Sequence, residues 1–539
     1  MRIDTIKLTK QARLINDYRE NKETIIKFFD YHPFEEYEQR IKDLKERSFN
    51  RSKLTEVLLK INTEWGAPSA TLANIDRMMM DNSLVVIGGQ QAGLLTGPLY
   101  TINKIISILQ FAKQQEEELR IPIIPVFWIA GEDHDFEEMN HIYMPETNRL
   151  KKHKLRQQNL EKRSVSHIPI DEADIKVWLD KLFTQLKETE YTKDLYEAIN
   201  ACLTKSTSYT DFFARVIFQL FSEEGVVLID SAHPLVRNLE REHFVHMIES
   251  QPDISTGVSR VAAQLKQEQY PLGLDVTPDD GNLFYHKNNE RILLMRNQNQ
   301  DWVGKNGEVR LSTEEIMRIA KNTPGLLSNN VVTRPLMQEL LFPTLAFIGG
   351  PGEISYWALL KPAFHALGIK MPPVVPRLSL TYVERGIEKK LAKYNLEIET
   401  VINQGLNEFK DNWLVAKVDP PVHTLANELK AVINQAHEPL RNIARELRAD
   451  IDALAENNLL HIYRDVELLE KRIVRTIEEK YELEIMDLDR INLAIHPDGG
   501  LQERMWNPLP FLNVYGKEWV KEVLKQSYSF KVDHYIIYL

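Results

Sequence analysis

Glycine, acidic and histidine residues gather at four places in this chain, each directly after an apolar run rich in β-branched side chains. The four segments are LVVIGGQQAGLLTGP (84–98), PIIPVFWIAGEDHD (122–135), GVVLIDSAHP (225–234) and PTLAFIGGPGE (343–353). Glycine loops present backbone N–H groups to anions, while carboxylates and imidazoles hold Mg²⁺ or transfer protons. These residue types predict one composite site for a nucleotide or another small molecule.

The apolar runs themselves indicate the elements that must position this site. Continuous apolar runs of this length, separated by helical stretches, are typical of buried strands in a parallel sheet. VVP at 374–376 is a fifth candidate strand. In such sheets ligands bind beyond the carboxyl ends of the strands, where the unusual residues lie here. We therefore predict an α/β fold with a parallel sheet.

The first glycine loop and the helix predicted after it supply the largest set of binding candidates. The loop has neither a Walker A lysine nor a G-x-G-x-x-G pattern. A tight strand-to-helix turn is the alternative, but four glycines in ten residues exceed what a turn needs, and we favour binding. Polar groups early in the helix can reach a carboxylate or phosphate. The candidates are Gly88, Gly89, Gln91, Gly93, Thr96, Gly97, Asn103 and Lys104.

The acidic cluster after the second run contains Glu132, Asp133, His134 and Asp135. Such a cluster can hold Mg²⁺, position an amine or do acid–base work. The alternative is a helix N-cap, which needs only one aspartate and leaves His134 unexplained. We predict that Lys104, Asp133 and His134 are catalytic and that Asp133 or Asp135 holds Mg²⁺.

The later strand ends carry further candidates. Asp230 and His233 follow the third run, where substrate binding and simple loop capping are both open. No G-x-S-x-G elbow surrounds Ser231, so a serine hydrolase is not predicted. The second glycine loop suits the adenosine or phosphate half of a nucleotide. The predicted nucleotide-binding residues outside the first loop are Gly350, Gly352, Glu353, Tyr356, Arg377, Gln502 and Arg504; for the last two, a solvated loop is the alternative.

Length and composition limit the class of protein. The 539 residues allow two to four domains, and the net charge of −11 disfavours nucleic-acid binding. The single cysteine, Cys202, permits neither an internal disulfide nor a cysteine-rich zinc site. The amino terminus lacks the apolar core of a signal peptide, and no apolar run is long enough to span a membrane. We therefore expect a cytoplasmic location, no membrane partner and no zinc.

The chain divides by pattern into four parts. We predict a helical segment over 1–80, a core over 81–385 with insertions at about 146–221 and 283–310, a coiled-coil domain over 386–490, and a return to the core over 491–539. Ser312 and Glu315 have capping-box spacing, which predicts a helix start. We expect 283–310 to be a small antiparallel insert, because short alternating runs are joined there by Asn and Gly.

Two apolar stripes within 440–473 have the spacing of a coiled coil. Pro439 is expected near a helix start, and 456–458 is expected to interrupt the helix. The stripes suit either an internal helical hairpin or a homodimer, and we favour the homodimer because a lone hairpin would expose an apolar edge. The residues are Leu440, Ile443, Leu447, Ile451 and Leu454, then Leu459, Ile462, Val466, Leu469 and Ile473.

Five motifs together resemble one protein family over essentially the whole chain: GGQQAGLLTGPLYTINK, FWIAGEDHDFEE, LIDSAHP, FIGGPGEISYWALL and HPDGGLQER. The chain is similar to the cysteine-adding enzymes of bacillithiol biosynthesis. The resemblance implies a Rossmann-like core with inserted connecting segments and a coiled-coil domain that can form a homodimer. It also implies that the carboxyl group of cysteine is joined to the amine of glucosaminyl malate, with ATP as the expected activating cosubstrate.

The resemblance also implies a core like that of class I aminoacyl-tRNA synthetases and the mycothiol cysteine ligase. Those relatives carry a His-x-Gly-His signature where this chain reads TGPL at 96–99, and a Lys-Met-Ser-Lys-Ser loop that PRLS at 376–379 only echoes. The missing signatures leave two hypotheses: an ATP-dependent amide-forming ligase, or a nucleotide-binding dimeric scaffold that kept the fold without catalysis.

Overall fold

The computed structural model describes residues 1–157 and 161–539. These residues form two compact units. The first comprises 1–144, 151–381 and 503–537, and the second comprises 145–150, 382–502 and 538–539. The predicted insertion at 146–221 includes residues 158–160, which lie outside the described residues.

The strands of the described residues have the following bounds: β1 Arg2–Ile6, β2 Leu84–Gln90, β3 Ile123–Ile129, β4 His141–Glu146, β5 Arg149–Lys154, β6 Val227–Asp230, β7 Asp280–Lys287, β8 Glu290–Arg296, β9 Trp302–Gly304, β10 Arg310–Leu311, β11 Leu327–Asn329, β12 Thr344–Gly349, β13 Val374–Pro376, β14 Leu380–Val383 and β15 His534–Tyr538.

The α-helices have the following bounds: α1 Arg13–Arg19, α2 Glu23–Ile26, α3 Tyr37–Lys45, α4 Arg51–Glu64, α5 Ser69–Arg77, α6 Leu99–Leu119, α7 Phe136–Met139, α8 Glu172–Phe183, α9 Thr192–Leu203, α10 Tyr209–Leu220, α11 Pro234–Leu239, α12 Arg241–Glu249, α13 Gln251–Gln267, α14 Thr313–Asn322, α15 Thr333–Leu341, α16 Pro351–Trp357, α17 Lys361–Ala366, α18 Arg385–Lys393, α19 Ile398–Gln404, α20 Asn407–Val415, α21 Val422–Leu447, α22 Ala449–Lys480, α23 Glu482–Ile495, α24 Gln502–Met505, α25 Leu509–Tyr515 and α26 Glu518–Leu524.

A five-stranded parallel sheet in the order β13-β12-β2-β3-β6 forms the centre of the first unit. All five predicted strands are present, and their apolar side chains are buried, as expected for a sheet covered on both faces. Their carboxyl ends lie side by side, because Gly349 pairs with Pro376 and Ile129 pairs with both Gln90 and Asp230. The predicted α/β fold with a parallel core is confirmed.

Helix α6 follows β2 and is buried over most of its length. The predicted apolar face is present, but Asn103, Lys104 and Ser107 on other faces are buried as well. Polar side chains are rarely buried without partners, so these three indicate a polar structure around the helix.

The insert at 283–310 belongs to a second, antiparallel sheet in the order β10-β9-β8-β7-β11. The predicted capping box is present at the start of α14, where the Ser312 hydroxyl accepts from the backbone N–H of Glu315 at 3.2 Å. Cys202 is buried in α9, and burial raises the pKa of its thiol to about 11.

The second unit consists mainly of long helices, of which α21 and α22 pack against each other. Two predictions about them are wrong. Pro439 lies inside α21, and the chain breaks at Arg448, whose φ of −170° is extended, so residues 456–458 lie within α22. Much of the predicted apolar stripe is exposed: the relative exposure is 64% at Leu440, 70% at Leu447 and 58% at Leu469.

None of the helices that the structure describes combines the length and apolar character that crossing a membrane would require.

Candidate functional site

A cavity of about 610 Å³ lies at the carboxyl edge of the parallel sheet, beyond β2, β3 and β12. Its position agrees with the general location of ligand sites in open α/β sheets. One lysine and three arginines line it, together with three carboxylates. The lining residues are Gly89, Gln90, Gln91, Tyr100, Lys104, Trp128, Ala130, Asp133, Glu138, His141, Arg334, Pro335, Gln338, Phe347, Gly350, Pro351, Gly352, Glu353, Tyr356, Arg377 and Arg504.

Lys104 connects the two glycine loops at this cavity. Its Nζ donates to the carbonyl oxygen of Gly89 at 2.6 Å and to Oε1 of Gln90 at 3.3 Å, and it pairs with the Glu353 carboxylate. Glu353 in turn accepts from the backbone N–H of Gly350 at 2.7 Å. Burial lowers the pKa of Lys104, and the charge of Glu353 opposes that shift. The ammonium group is therefore held between both loops.

Arg377 follows β13 and forms a two-pronged ion pair with Glu503. Its Nη1 and Nη2 lie 2.8 and 2.7 Å from the two carboxylate oxygens, and Glu503 also accepts from Asn103 at 2.7 Å and Ser379 at 3.0 Å. Burial opposes the charge on Arg377, but the pairing with Glu503 outweighs burial and raises the pKa of Arg377. The pair therefore remains charged.

Arg334 enters the cavity from α15 and is held by two carboxylates. Its Nε donates to Glu132 Oε1 at 2.8 Å and its Nη2 to Asp133 Oδ1 at 2.5 Å. Asp133 Oδ1 also accepts from Arg291 at 3.3 Å. Burial alone would raise the pKa of Glu132, but the surrounding guanidinium groups, Arg237 foremost, lower it to about 2. This carboxylate is therefore ionised at neutral pH.

The structure brings half of the predicted site residues to the cavity. Those that line it are Gly89, Gln91, Lys104, Asp133, Gly350, Gly352, Glu353, Tyr356, Arg377 and Arg504. Those that do not line it are Gly88, Gly93, Thr96, Gly97, Asn103, His134, Asp135, Asp230, His233 and Gln502. For the second group, local contacts explain the position of most side chains.

His134 faces the antiparallel insert instead of the cavity. Its Nδ1 lies 3.4 Å from Nη1 of Arg291, and its ring lies 6.3 Å from that of Phe284. Burial lowers the pKa of His134, and Arg291 adds to the shift. Asp135 is exposed at the start of α7. The predicted catalytic and Mg²⁺-binding positions of these two residues are therefore outside the cavity.

Most of the first glycine loop is used for packing. A Cβ on Gly93 would lie 2.8 Å from Gly97 Cα, and one on Gly88 would lie 2.9 Å from the backbone of β12. Thr96 has a φ of 72°, a left-handed conformation that β-branched residues rarely adopt. The amide of Asn507 holds this turn by donating to the carbonyl oxygen of Gly97 at 2.7 Å. Tight packing, more than anion binding, explains these glycines.

The third strand end and the tail segment make structural contacts. Asp230 accepts from the backbone N–H of Ala232 at 3.0 Å, and His233 caps α11. The loop-capping interpretation therefore accounts for both residues. Asn103 is turned to Glu503. The side-chain amide of Gln502 donates to and accepts from the Tyr382 backbone within the second unit, at 2.8 Å in both bonds.

Arg334 lines the cavity, but its position in the sequence does not follow a predicted strand, so the strand-end pattern did not predict it. It lies near the start of α15, which precedes β12 instead of following a strand of the parallel sheet. Tyr100, Gln338, Glu138 and His141 also line the cavity without having been predicted there. The only sequence signal for Arg334 is its place between a polar Asn-Asn pair and a proline.

The second glycine loop leaves its backbone open to the cavity, while Asp133 is largely engaged by arginines. A Cβ on Gly352 would meet no atom within 4 Å, so the backbone of the second loop is accessible. Among residues 1–157 and 161–539, no three His, Cys, Asp or Glu side chains form a group that could hold a metal ion. Asp133 uses one oxygen for two arginines.

The fold and site together define a protein with a Rossmann-like core, a cationic cavity at its strand ends and a coiled-coil domain. The family model of the N-terminal Rossmann-like domain of bacillithiol biosynthesis BshC matches residues 1–378, and that of its C-terminal coiled-coil domain matches residues 380–539. The chain therefore belongs to the BshC family of bacillithiol biosynthesis.

Curated relatives agree with this assignment. A protein of Oceanobacillus iheyensis named "Putative cysteine ligase BshC" is 41% identical over 543 residues, which cover 100% of both chains. Proteins with the same name from Bacillus thuringiensis (strain Al Hakam) and Bacillus cereus (strain 03BB102) are each 39% identical over 540 residues, again 100% of both chains. The resemblance inferred from the five motifs is thus confirmed.

Proposed function

We propose that this chain is an ATP-dependent ligase that joins the carboxyl group of cysteine to the amine of glucosaminyl malate, forming bacillithiol. The observation that carries the proposal is the cavity with Lys104, Arg334, Arg377 and Arg504 on its walls and an accessible glycine backbone at Gly352. These four cations outnumber the three carboxylates on the same walls, Asp133, Glu138 and Glu353, which suits substrates that carry phosphate or carboxylate groups. The names of the relatives supply the amino acid.

Amide formation requires that the carboxylate first be activated. A carboxylate oxygen of cysteine attacks a phosphorus atom of ATP, and either pyrophosphate or ADP leaves. The amine of glucosaminyl malate then attacks the carbonyl carbon, loses a proton and displaces AMP or phosphate. Negative charge gathers on the phosphate oxygens in the first step. Lys104 and Arg377 lie on the side of the second glycine loop and are the residues we assign to that charge.

Magnesium enters this scheme with the nucleotide. Phosphate oxygens and water commonly supply most ligands of Mg²⁺ in nucleotide sites. Asp133 lines the cavity and is the protein ligand we propose, through the oxygen that Arg334 and Arg291 do not share. A cytoplasmic location follows from the proposal, because the reaction consumes ATP and a reduced thiol.

Product analysis tests the ligase proposal. Purified protein is incubated with cysteine, glucosaminyl malate, ATP and Mg²⁺, and bacillithiol is measured by mass spectrometry, with each component omitted in turn. We expect product only in the complete mixture, with one equivalent of AMP or ADP that identifies the activated species. Tight ATP binding without product would favour the dimeric scaffold instead.

We also propose that the chain forms a homodimer through the apolar stripe at 440–473. The exposure of Leu440, Leu447 and Leu469 supports this proposal, because these large apolar side chains of the stripe are in contact with solvent in the single chain. Sedimentation should give twice the chain mass for the wild type and a lower mass for the double variant Leu447→Glu/Ile451→Glu. Val177→Glu, at another exposed apolar position, is the control. Equal masses for wild type and double variant would contradict the proposal.

A further inference from the structure

Glu132 is a buried carboxylate that contacts a cavity residue without lining the cavity itself. It follows β3 and its side chain has no exposed surface. The residues that line the cavity include its neighbours Ala130 and Asp133 but not Glu132. A fully buried charge is costly unless it is paired and hydrogen-bonded. The groups that contact Glu132 therefore indicate what this carboxylate does.

Three groups donate to the Glu132 carboxylate. Oε1 accepts from Nε of Arg334 at 2.8 Å, and Oε2 accepts from Nη2 of Arg237 at 2.5 Å and from the backbone N–H of Asn329 at 3.3 Å. Of these partners, only Arg334 lines the cavity. Glu132 therefore joins the cavity wall to a buried guanidinium and to the end of β11.

The two carboxylates leave one end of the Arg334 guanidinium for a ligand. Glu132 takes Nε and Asp133 takes Nη2, which fixes the plane of the group. Among residues 1–157 and 161–539, no group accepts a hydrogen bond from Nη1 of Arg334, and the side chain is 21% exposed. Guanidinium groups held in this way bind carboxylates and phosphates with defined geometry.

We propose that Glu132 is the positioning residue for Arg334, and that Arg334 binds an anionic group of one substrate, either a carboxylate or a phosphate. The inference rests on the proposed function for the identity of the substrates but not for the presence of an anion site. Burial opposes the charge on Arg334, yet Asp133 and Glu132 raise its pKa, so the side chain stays cationic where an anion would meet it.

Glu132→Gln tests the inference, because glutamine keeps the shape of the side chain and replaces one acceptor oxygen by a donor. The expected result is a KM about ten- to 100-fold higher for one anionic substrate, the range for a lost charge-assisted contact, with kcat within about threefold. Glu132→Asp keeps the charge and should recover part of that loss. A raised KM for ATP identifies a phosphate as the ligand, and a raised KM for cysteine or glucosaminyl malate identifies a carboxylate.

Glu240→Gln is the matched control. Glu240 is equally buried and pairs with Arg237 at 2.6 Å, but within residues 1–157 and 161–539 it makes no hydrogen bond to Arg334. Burial raises the pKa of Glu240, and Arg237 opposes that shift. Every KM should stay within about twofold of wild type. Equal effects of Glu240→Gln and Glu132→Gln would show that the cluster acts only on stability and would overturn the inference.

A double-mutant cycle separates positioning from general structural damage. In an Arg334→Ala background, Glu132→Gln should change KM by less than about twofold, because its effect passes through the missing guanidinium. A full additional loss in that background would overturn the inference.

Calorimetry with inorganic pyrophosphate and L-malate as probes gives a readout that needs no turnover. We expect the wild type to bind at least one probe and Glu132→Gln to bind it about tenfold more weakly. If the wild type makes no bacillithiol but this difference is seen, the proposed function fails while the anion site stands. If wild type, Glu132→Gln and Arg334→Ala bind both probes equally or not at all, the inference fails.

Discussion

The two glycine loops at the sheet edge look alike in sequence and differ in use. In the first loop, Gly89 borders the cavity too, but a Cβ on it would lie 2.6 Å from the carbonyl oxygen of Trp128, and Gly93 packs against Gly97. In the second, Gly352 has open space around it and borders the cavity. The first loop uses glycine to let backbones approach each other, while the second keeps its backbone accessible to a ligand. Glycine density alone therefore does not distinguish packing from binding.

Lys104→Ala should have the largest effect, because this side chain connects both loops. Losing one electrostatic contact to a transition state costs roughly 2.7–4 kcal/mol, or about 10² to 10³ in turnover. We expect kcat to fall by that factor while cysteine binding changes little, measured by steady-state kinetics on variants with the wild-type melting temperature. Lys113→Ala, at an exposed position of the same helix, is the control. Near wild-type turnover of Lys104→Ala would contradict the role that we assign to Lys104 in stabilising negative charge on the phosphate oxygens.

Asp133→Asn is expected to lower turnover in the same range, since it removes a negative charge beside Arg334 and the proposed ligand of Mg²⁺. Steady-state kinetics over a range of Mg²⁺ concentrations measures both roles. Partial recovery at high Mg²⁺ would support metal binding by Asp133. If Asp133→Asn has the wild-type turnover, Asp133 does not contribute to catalysis, and the phosphate groups are bound at the second glycine loop.

Asp230, at the carboxyl end of β6, is closely packed: a Cβ added to Gly131 would lie 2.2 Å from its Oδ1. Burial raises the pKa of Asp230 from 3.8 to about 6, so the native state favours the protonated carboxyl. The resulting stabilisation is complete below about pH 4 and is lost as the pH rises through about 6; it amounts to at most about 3 kcal/mol. Urea unfolding should therefore show that Asp230→Asn gains stability relative to wild type between pH 4 and 7. A difference independent of pH would contradict the assignment.

Gly89→Ala should destabilise the fold by about 1–3 kcal/mol, because the added methyl group would overlap the Trp128 backbone. Chemical denaturation measures the effect. An unchanged free energy of unfolding would show that the first loop has room to adapt and would weaken the contrast between the loops.

Gly352→Ala, the counterpart in the second loop, should have the smallest effect on stability. The methyl group meets no atom, and alanine is favourable within α16, so the free energy of unfolding should change by no more than about 0.5 kcal/mol. The KM for ATP should nevertheless rise several-fold, because the methyl group narrows the space for phosphate. If Gly352→Ala loses stability and keeps the wild-type KM for ATP, the second loop uses its glycine for packing and not for ligand binding.

The sequence determined the sheet and the general place of the site. The apolar runs of β2, β3, β6, β12 and β13 are long, β-branched and bounded by turn residues, and this pattern forces them into a buried parallel sheet. Parallel strands necessarily place their carboxyl ends together. The capping box at Ser312 and the antiparallel insert could also be predicted from the sequence, because helix caps and alternating strands depend on residues that are close together in the chain.

Tertiary structure alone decided which strand-end residues face the cavity. Arg334 precedes its strand, and Glu503 lies far along the chain from Arg377, so their roles depend on contacts that no local pattern encodes. His134 and Asp133 are neighbours in sequence, yet only Asp133 lines the cavity, because Arg291 and Phe284 of the insert pack with the imidazole. Strand order and residue type place a group at the sheet edge, but the direction of a side chain depends on partners that folding brings from distant segments.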